Sequence, residues 1–243
     1  MKIYKFCLLA IFVLFLLSCD KETEGLSRST YYVEFEMKGD NPAIVQVGEP
    51  YIDAGVIAKL QGKDVTSQIK IESNVNYKAM GLYQIIYTSP PNSDGLKSRV
   101  VRDVIVCNPA VTTDLSGTWD VANDCYRNNG GVIHTYGGKD YTVKISRIAP
   151  GFFAVDDFFA KYYTIYRGYG YAPVYEMQGY FSLDEDNSIK LIKSYVIAWG
   201  DGLNFMRNGI YDPDTDPGVD IVKWELNYSS GMEFFITLTK EKE

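Results

Sequence analysis

A two-residue alternation of apolar and polar side chains, interrupted at short intervals by turn formers, narrows the possible folds of this chain more than any other feature. YYVEFEMK (31–38), QIKIES (68–73) and LYQIIYTS (82–89) alternate in this way, with GDNP (39–42), QGKD (61–64) and SPPNSDG (89–95) between them. Side chains of a strand point to opposite faces at every step, so alternation marks a half-buried strand. Across this N-terminal half no window places apolar residues at helical spacing over three turns. Short strands with turn residues between them predict a sandwich of two sheets over residues 31–107.

The β pattern continues beyond NPAVTTDLSG (108–117), which supplies the seam, with residues 108–116 as linker. GTWDVAND, YTVKISRI, GFFAVDDF, EMQGYFSL, SIKLIKSYVIAW, DIVKWELNY and MEFFITLTK are seven strand-like runs, and the Tyr-rich segment between Phe158 and Val174 is the expected source of an eighth. LDEDNS (183–188) and NYSSGM (227–232) read as hairpin turns. An antiparallel meander of this size favours a closed or flattened barrel over residues 117–243, because closure removes exposed edges. The fold class is therefore all-β, a sandwich followed by a meander barrel.

The first 18 residues, MKIYKFCLLAIFVLFLLS, carry Lys2 and Lys5 ahead of an apolar run. That run is short for a membrane span of about 20 residues and has the form of a secretory leader. Leu16, Leu17 and Ser18 run into Cys19, and this ending resembles the bacterial lipobox; the resemblance implies diacylglycerol on the Cys19 sulfur and cleavage just before it. Acyl chains contribute about 0.8 kcal/mol per buried CH2, so two or three of them hold a protein on a membrane. DKETEGLSRST, after the cysteine, is too polar to bury a core, and residues 19–30 read as a lipidated tether. This acidic stretch also resembles the export signals of Bacteroidetes lipoproteins displayed on the cell surface, which implies an outer-membrane lipoprotein facing outward. Asp20 is equally compatible with retention at an inner membrane in other bacteria.

Removing Lys2 and Lys5 with the leader leaves 22 basic against 31 acidic residues, a net charge of −9. Nucleic-acid binding needs a basic footprint, so no nucleic-acid partner is expected. Of the four cysteines, Cys7 leaves with the leader and Cys19 is acylated. Cys107 and Cys125 then either bridge the seam or stand as two buried thiols.

YIDAGVIA (51–58), GKDVTS (62–67), GLYQIIYT (81–88) and RVVRDVIV (99–106) resemble the successive motifs of a bacterial immunoglobulin-like (Ig-like) domain found in secreted and surface proteins. This sequence departs from the family's pattern at Ala54, where proline is usual, and at SPPNSDGLKS, where an Asp-Gly-Asn hairpin is usual. Gly117, Thr118 and Trp119 are similar to the Gly-x-Trp that opens lipocalin-like barrels. The whole mature chain resembles Bacteroidetes surface lipoproteins that join this Ig-like domain to a C-terminal β domain with GYGY and WGD elements, here Gly168 to Tyr171 and Trp199 to Asp201. That resemblance implies a surface role and brings no activity with it. Fold alone assigns no chemistry.

KYYTIYRGYGYAPVY (161–175) places six tyrosines between Tyr162 and Tyr175. Aromatic faces bury area at little rotamer cost and keep a hydroxyl for hydrogen bonding, which suits stacking on sugar rings. Tyr162, Tyr166, Tyr169, Tyr171 and Trp199 are the candidate ligand-binding residues on this reading. The competing reading makes the same rings part of a barrel wall.

YDPDTDPGVD (211–220) puts Asp212, Asp214, Asp216 and Asp220 at alternating positions, reminiscent of a calcium loop, but Pro217 and Lys223 stand where such a loop needs glycine and glutamate. It reads as a solvated acidic loop, and no metal or cofactor is expected. His134, the only histidine, lies in NNGGVIHTYGG, a loop-like stretch with no partner for a catalytic triad. Asp156, Asp157, Glu176 and Asp201 are the acids that would have to meet for glycoside hydrolysis.

Three roles follow. The preferred one is a surface-anchored module that binds a polysaccharide or oligosaccharide and serves outer-membrane nutrient uptake, without enzymatic activity. The second is a structural lipoprotein whose Ig-like domain is a spacer and whose partner is an outer-membrane protein. The third is a small glycoside hydrolase.

Overall fold

The computed structural model describes residues 29–170, 173–216 and 218–241. Cys19, the leader and Tyr171 lie outside the described residues.

Residues 34–107 form the expected sandwich. Strands β1 (Glu34–Met37), β3 (Val56–Leu60) and β4 (Lys63–Asp64) make one antiparallel sheet. The other runs β2 (Ala43–Gln46), β7 (Arg99–Cys107), β6 (Gly81–Thr88) and β5 (Lys70–Ser73), with β2 parallel to β7. Ala43, Val56, Ile85, Tyr87 and Val104 fill the space between the sheets. Within this core Arg102 is only 1 % exposed. Its guanidinium donates to the carbonyls of Asp40 (2.5 Å), Gly55 (3.0 Å) and Lys38, and its Nε lies 3.0 Å from the Asp53 carboxylate.

Residues 117–241 form one strongly curled antiparallel sheet. Its strands are β8 (Gly117–Val121), β9 (Cys125–Asn129), β10 (Val132–Tyr136), β11 (Thr142–Ala149), β12 (Phe152–Val155), β13 (Gln178–Leu183), β14 (Ile189–Tyr195), β15 (Phe205–Asp216), β16 (Val219–Tyr228) and β17 (Met232–Glu241). The meander runs β8-β11-β12-β13-β14, and β15-β16-β17 returns to β8. β14 and β15 meet through a single bridge, Ser188 to Ile210, so the barrel stays parted along that seam. Val222, Trp224, Leu226 and Tyr228 alternate inward along β16, as do Phe234, Ile236 and Leu238 along β17. Trp119 is buried on β8, its indole N–H donating to the Leu115 carbonyl (2.8 Å).

Three expectations are corrected here. NNGGVIHTYGG is not a loop: β9 and β10 form a hairpin there, and His134 pairs across from Arg127. β9 continues the line of β8 along β17, so this hairpin lengthens one wall of the barrel. The eighth meander strand is not the Tyr-rich segment, which coils into a π-helical turn at Tyr162–Tyr166. The eighth is β15, which contains most of the acidic stretch expected as a loop. Register shifts between Arg207 and Ile210 and between Asp212 and Asp216 break its alternation, which is why its period does not show. Asp212 lies opposite Ile221, and Asp220 accepts a hydrogen bond from the Tyr211 hydroxyl (3.0 Å). Among the described residues no cluster of three potential metal ligands forms.

Cys107 and Cys125 are both buried free thiols, so the bridged alternative is set aside. They belong to different apolar clusters. Cys125 holds backbone instead: its sulfur accepts the Thr237 N–H at 3.2 Å. Burial pushes its thiol up to about 12.

The Ig-like half packs against one end of the barrel. Ile105, Cys107, Ala149 and Phe152 share an apolar cluster with Leu82, Tyr180 and Ile192. Asn108 N–H donates to the Pro150 carbonyl (3.2 Å), and its side-chain amide donates to Glu185 (3.0 Å). These contacts engage the β11–β12 and β13–β14 turns. In an up-and-down meander the β12–β13, β14–β15 and β16–β17 connections then fall at the opposite end.

Candidate functional site

That opposite end holds a pocket of about 460 Å³. Tyr162, Tyr163, Arg167 and Tyr169 line it from the β12–β13 connection, Trp199 and Asp201 from the β14–β15 connection, and Tyr228 from the end of β16. Arg127 of β9 and Met232 of β17 complete one wall.

The 22-residue connection between β12 and β13 begins by entering the barrel. Phe158, Phe159 and Ala160 are fully buried there, and the Trp224 indole donates to the Phe158 carbonyl (3.2 Å). The Tyr136 hydroxyl donates to the Phe159 carbonyl (2.8 Å). The chain must then reverse, and it does so through left-handed backbone at Ala160 (φ 50°) and Lys161 (φ 66°). Non-glycine residues adopt that conformation at a cost of about 1 kcal/mol or more each. Asp157 holds the reversal: one carboxylate oxygen accepts the N–H groups of Phe159 and Met177 (both 3.0 Å), the other the N–H of Lys161 (2.8 Å). The Lys161 ammonium in turn reaches Glu176 (2.7 Å) and Asp156 (3.0 Å).

The fold therefore brings three of the four candidate acids together, but Asp156 and Glu176 pair with one lysine and Asp157 is taken up by the backbone of the plug. Burial raises the Asp157 carboxyl to about 7, opposed by Lys161 and by the three N–H donors. Asp201, the fourth acid, stands apart in the pocket, accepting the Tyr228 hydroxyl at 3.0 and 3.2 Å. Burial first, and Asp201 second, push the Tyr228 phenol above its ordinary range. Burial likewise carries Tyr163 up to about 12. Both hydroxyls are protonated donors at neutral pH.

The π-turn sorts the tyrosines. Tyr162 and Tyr163 are buried at the pocket floor, with ring planes at 89° and centroids 4.9 Å apart. Tyr166, four residues after Tyr162, stacks on it at 5.2 Å and leans toward His134, its hydroxyl 3.4 Å from Nδ1. Tyr169 and Trp199 flank Tyr163 at 5.7 and 4.8 Å and Tyr175 at 5.0 and 5.6 Å. The Ala198 N–H donates to the Val174 carbonyl (2.9 Å), which ties the two connections together beside Trp199. Trp199 is 40 % exposed and Tyr169 38 %, so both rings reach solvent at the pocket, Tyr169 with the Arg167 guanidinium beside it.

Of the five candidates, Tyr162, Tyr169 and Trp199 thus line one pocket, Tyr166 backs it through Tyr162, and Tyr171 is outside the described residues. Arg127, Tyr163, Arg167, Tyr228 and Met232 were not singled out from sequence. Tyr163 and Arg167 stand inside the quoted segment. Arg127 and Tyr228 come from strands far along the chain, and only barrel closure brings them there.

A surface-protein Ig-like sandwich carrying a curled β domain with an aromatic pocket defines the class. The family model described as bacterial surface protein, Ig-like domain, matches residues 35–106, and a C-terminal-domain family model matches residues 108–240. The chain is similar to the lipoprotein BT2262 from Bacteroides thetaiotaomicron, with 30 % identity over 86 % of this chain and 100 % of that one and a TM-score of 0.47. It belongs to the BT2262-like lipoprotein family. No curated protein matches it.

Proposed function

We propose that this lipoprotein is anchored in the outer membrane by acylation at Cys19, faces the exterior, and binds a glycan in the pocket at the far end of its barrel as an accessory to nutrient uptake, without turning the glycan over. The observation that carries this reading is the pocket itself: the part-exposed rings of Tyr169 and Trp199 above a floor of Tyr162 and Tyr163, rimmed by the Tyr228 hydroxyl and Asp201. Stacking faces with hydroxyl and carboxylate groups beside them meet both the apolar face and the hydroxyl edge of a pyranose. The Ig-like sandwich packs at the opposite end, so it holds the pocket away from the membrane.

Calorimetric titration of residues 29–243 against a panel of bacterial, plant and host polysaccharides tests this. At least one polysaccharide is expected to release heat, and Tyr169→Ala or Trp199→Ala to weaken it by about tenfold or more, the scale of a central aromatic contact. No heat from any of them, or two variants equal to wild type, removes the glycan reading.

A second reading has one observation of its own. Val132 and Ile133 on the edge strand β10, with Ile165 and Ile197 on the neighbouring connections, are exposed apolar side chains near the same end. Exposed apolar residues beside an unpaired strand edge suit contact with an outer-membrane protein partner.

A further inference from the structure

The pocket contains two guanidinium groups that form no ion pair with a carboxylate among the described residues. The described residues include six arginines, Arg99, Arg102, Arg127, Arg147, Arg167 and Arg207. Arg102, Arg147 and Arg207 each pair with a carboxylate, at 3.0 Å to Asp53, 4.0 Å to Asp114, and 2.6 and 2.8 Å to Glu225 and Glu233. Two of the three others, Arg127 and Arg167, line this one pocket. In a chain whose acids outnumber its bases, 31 to 24, two cations left without anions at one place call for a reason.

Their surroundings sharpen the point. The Arg127 guanidinium lies over the Tyr162 ring, 5.5 Å from its centroid. Its two terminal nitrogens meet the Tyr162 hydroxyl (3.3 Å) and the Met232 sulfur (2.7 Å), a thioether being a weak acceptor. Its Nε is out of reach of solvent and has no hydrogen-bond partner at all. Arg167 lies over Tyr169 at 6.0 Å, on the exposed rim. The aromatic rings hold both cations in place, and the hydrogen-bond partners they do have, phenol hydroxyls and a thioether, are neutral and leave their charge unmatched. Among the described residues Asp201 is the only acid lining the pocket, and the Tyr228 hydroxyl already donates to it. The pocket therefore carries one net positive charge on a protein that is otherwise negative.

From this we infer, resting on the glycan reading above, that the sugar bound here carries an anionic group, a carboxylate or a sulfate, which docks on Arg127 and Arg167 while its ring stacks on Tyr169 and Trp199. Planar guanidinium forks recognise such oxyanions through paired hydrogen bonds. Asp201 faces the hydroxyl edge of the same sugar and sets its orientation by repelling the anion.

Titration of residues 29–243 with polygalacturonate, dextran sulfate, neutral galactan and dextran, in 50 and 300 mM salt, tests the inference. An anionic polymer is expected to bind at least about tenfold more tightly than galactan or dextran, with Arg127→Gln and Arg167→Gln each weakening it by about ten- to a hundredfold, the scale of a hydrogen bond to a charged group. The higher salt weakens the wild type and leaves the double variant unmoved. Polygalacturonate against dextran sulfate separates carboxylate from sulfate. Arg127→Lys keeps the charge and part of the preference; should Arg127→Gln lower the melting temperature, Arg167→Gln on the rim carries the test alone. Equal affinity for a neutral polymer with silent arginine variants overturns the inference and leaves the glycan reading standing. Silence from all four polymers and from the wider panel removes both.

Discussion

Replacing Arg102 by Met is expected to destabilise the Ig-like sandwich by about 3–5 kcal/mol, the cost of breaking a buried ion pair by deleting one partner. Arg102 belongs to β7 in the four-stranded sheet, whereas Asp53, Gly55, Lys38 and Asp40 flank β1 and β3 in the other. The side chain therefore clamps the two layers together, and its removal leaves three carbonyls without their donor and a carboxylate supported only by two neutral hydroxyls, Tyr87 (2.5 Å) and Tyr51 (3.4 Å). Arg102→Lys fails for a different reason, because an ammonium cannot span four acceptors with a planar fork. Adding Asp53→Asn to Arg102→Met restores part of the loss by removing the unpaired charge. The location of the tryptophans makes this measurable: Trp119, Trp199 and Trp224 all lie beyond residue 116, so indole fluorescence reports the barrel alone. Urea unfolding followed by circular dichroism shows an early transition in Arg102→Met, while the fluorescence midpoint moves far less. A circular-dichroism midpoint within error of wild type would show that the clamp contributes nothing.

The sandwich was legible because period and punctuation agree along it. LYQIIYTS buries Ile85 and Tyr87 on one face, and the adjacent RVVRDVIV supplies Val104 and Val106. Arg102 is the exception, since a charge in a strand pattern reads as solvent-facing and only the loops folded over it reveal the opposite. In the barrel the regular strands show their period, while the irregular ones do not. β15 loses its alternation to bulges, and in NNGGVIHTYGG the two strands are so short that the Gly130–Gly131 turn dominates their composition. The tyrosine segment was recognisable as aromatic and glycine-broken, and three of its rings plus Trp199 do surround the pocket. Its π-turn was not legible, because the turn depends on Asp157, Lys161 and Glu176 meeting inside the barrel rather than on any local propensity. Arg127 escaped for the same reason: a strand 35 residues away from Tyr162 becomes its neighbour only through the β9–β17 pairing.

At pH 8, where the carboxyl is ionised, Asp157→Asn is expected to lower the stability of the barrel by about 3 kcal/mol, because the amide can keep the Phe159 and Met177 N–H bonds on its oxygen but turns a donor toward the Lys161 N–H. A buried unsatisfied donor then sits at the one residue whose left-handed backbone most needs support. The pH dependence separates this account from simple loss of packing. A carboxyl raised by burial to about 7 holds its proton in the folded barrel where the unfolded chain, at an ordinary value of 3.8, has released it. The folded state binds more protons between those limits, so this group's contribution is fully present below pH 3.8 and is lost as the pH rises through about 7. The span corresponds to at most about 4 kcal/mol. Indole-monitored urea midpoints taken from pH 5 to pH 8 should therefore fall with rising pH in the wild type, and lie nearly level in Asp157→Asn. A variant that keeps the wild-type slope assigns that slope to another group. A variant as stable as wild type at pH 8 means that Lys161 needs no acceptor, and that Phe158 and Phe159 alone seat the plug on which the pocket is built.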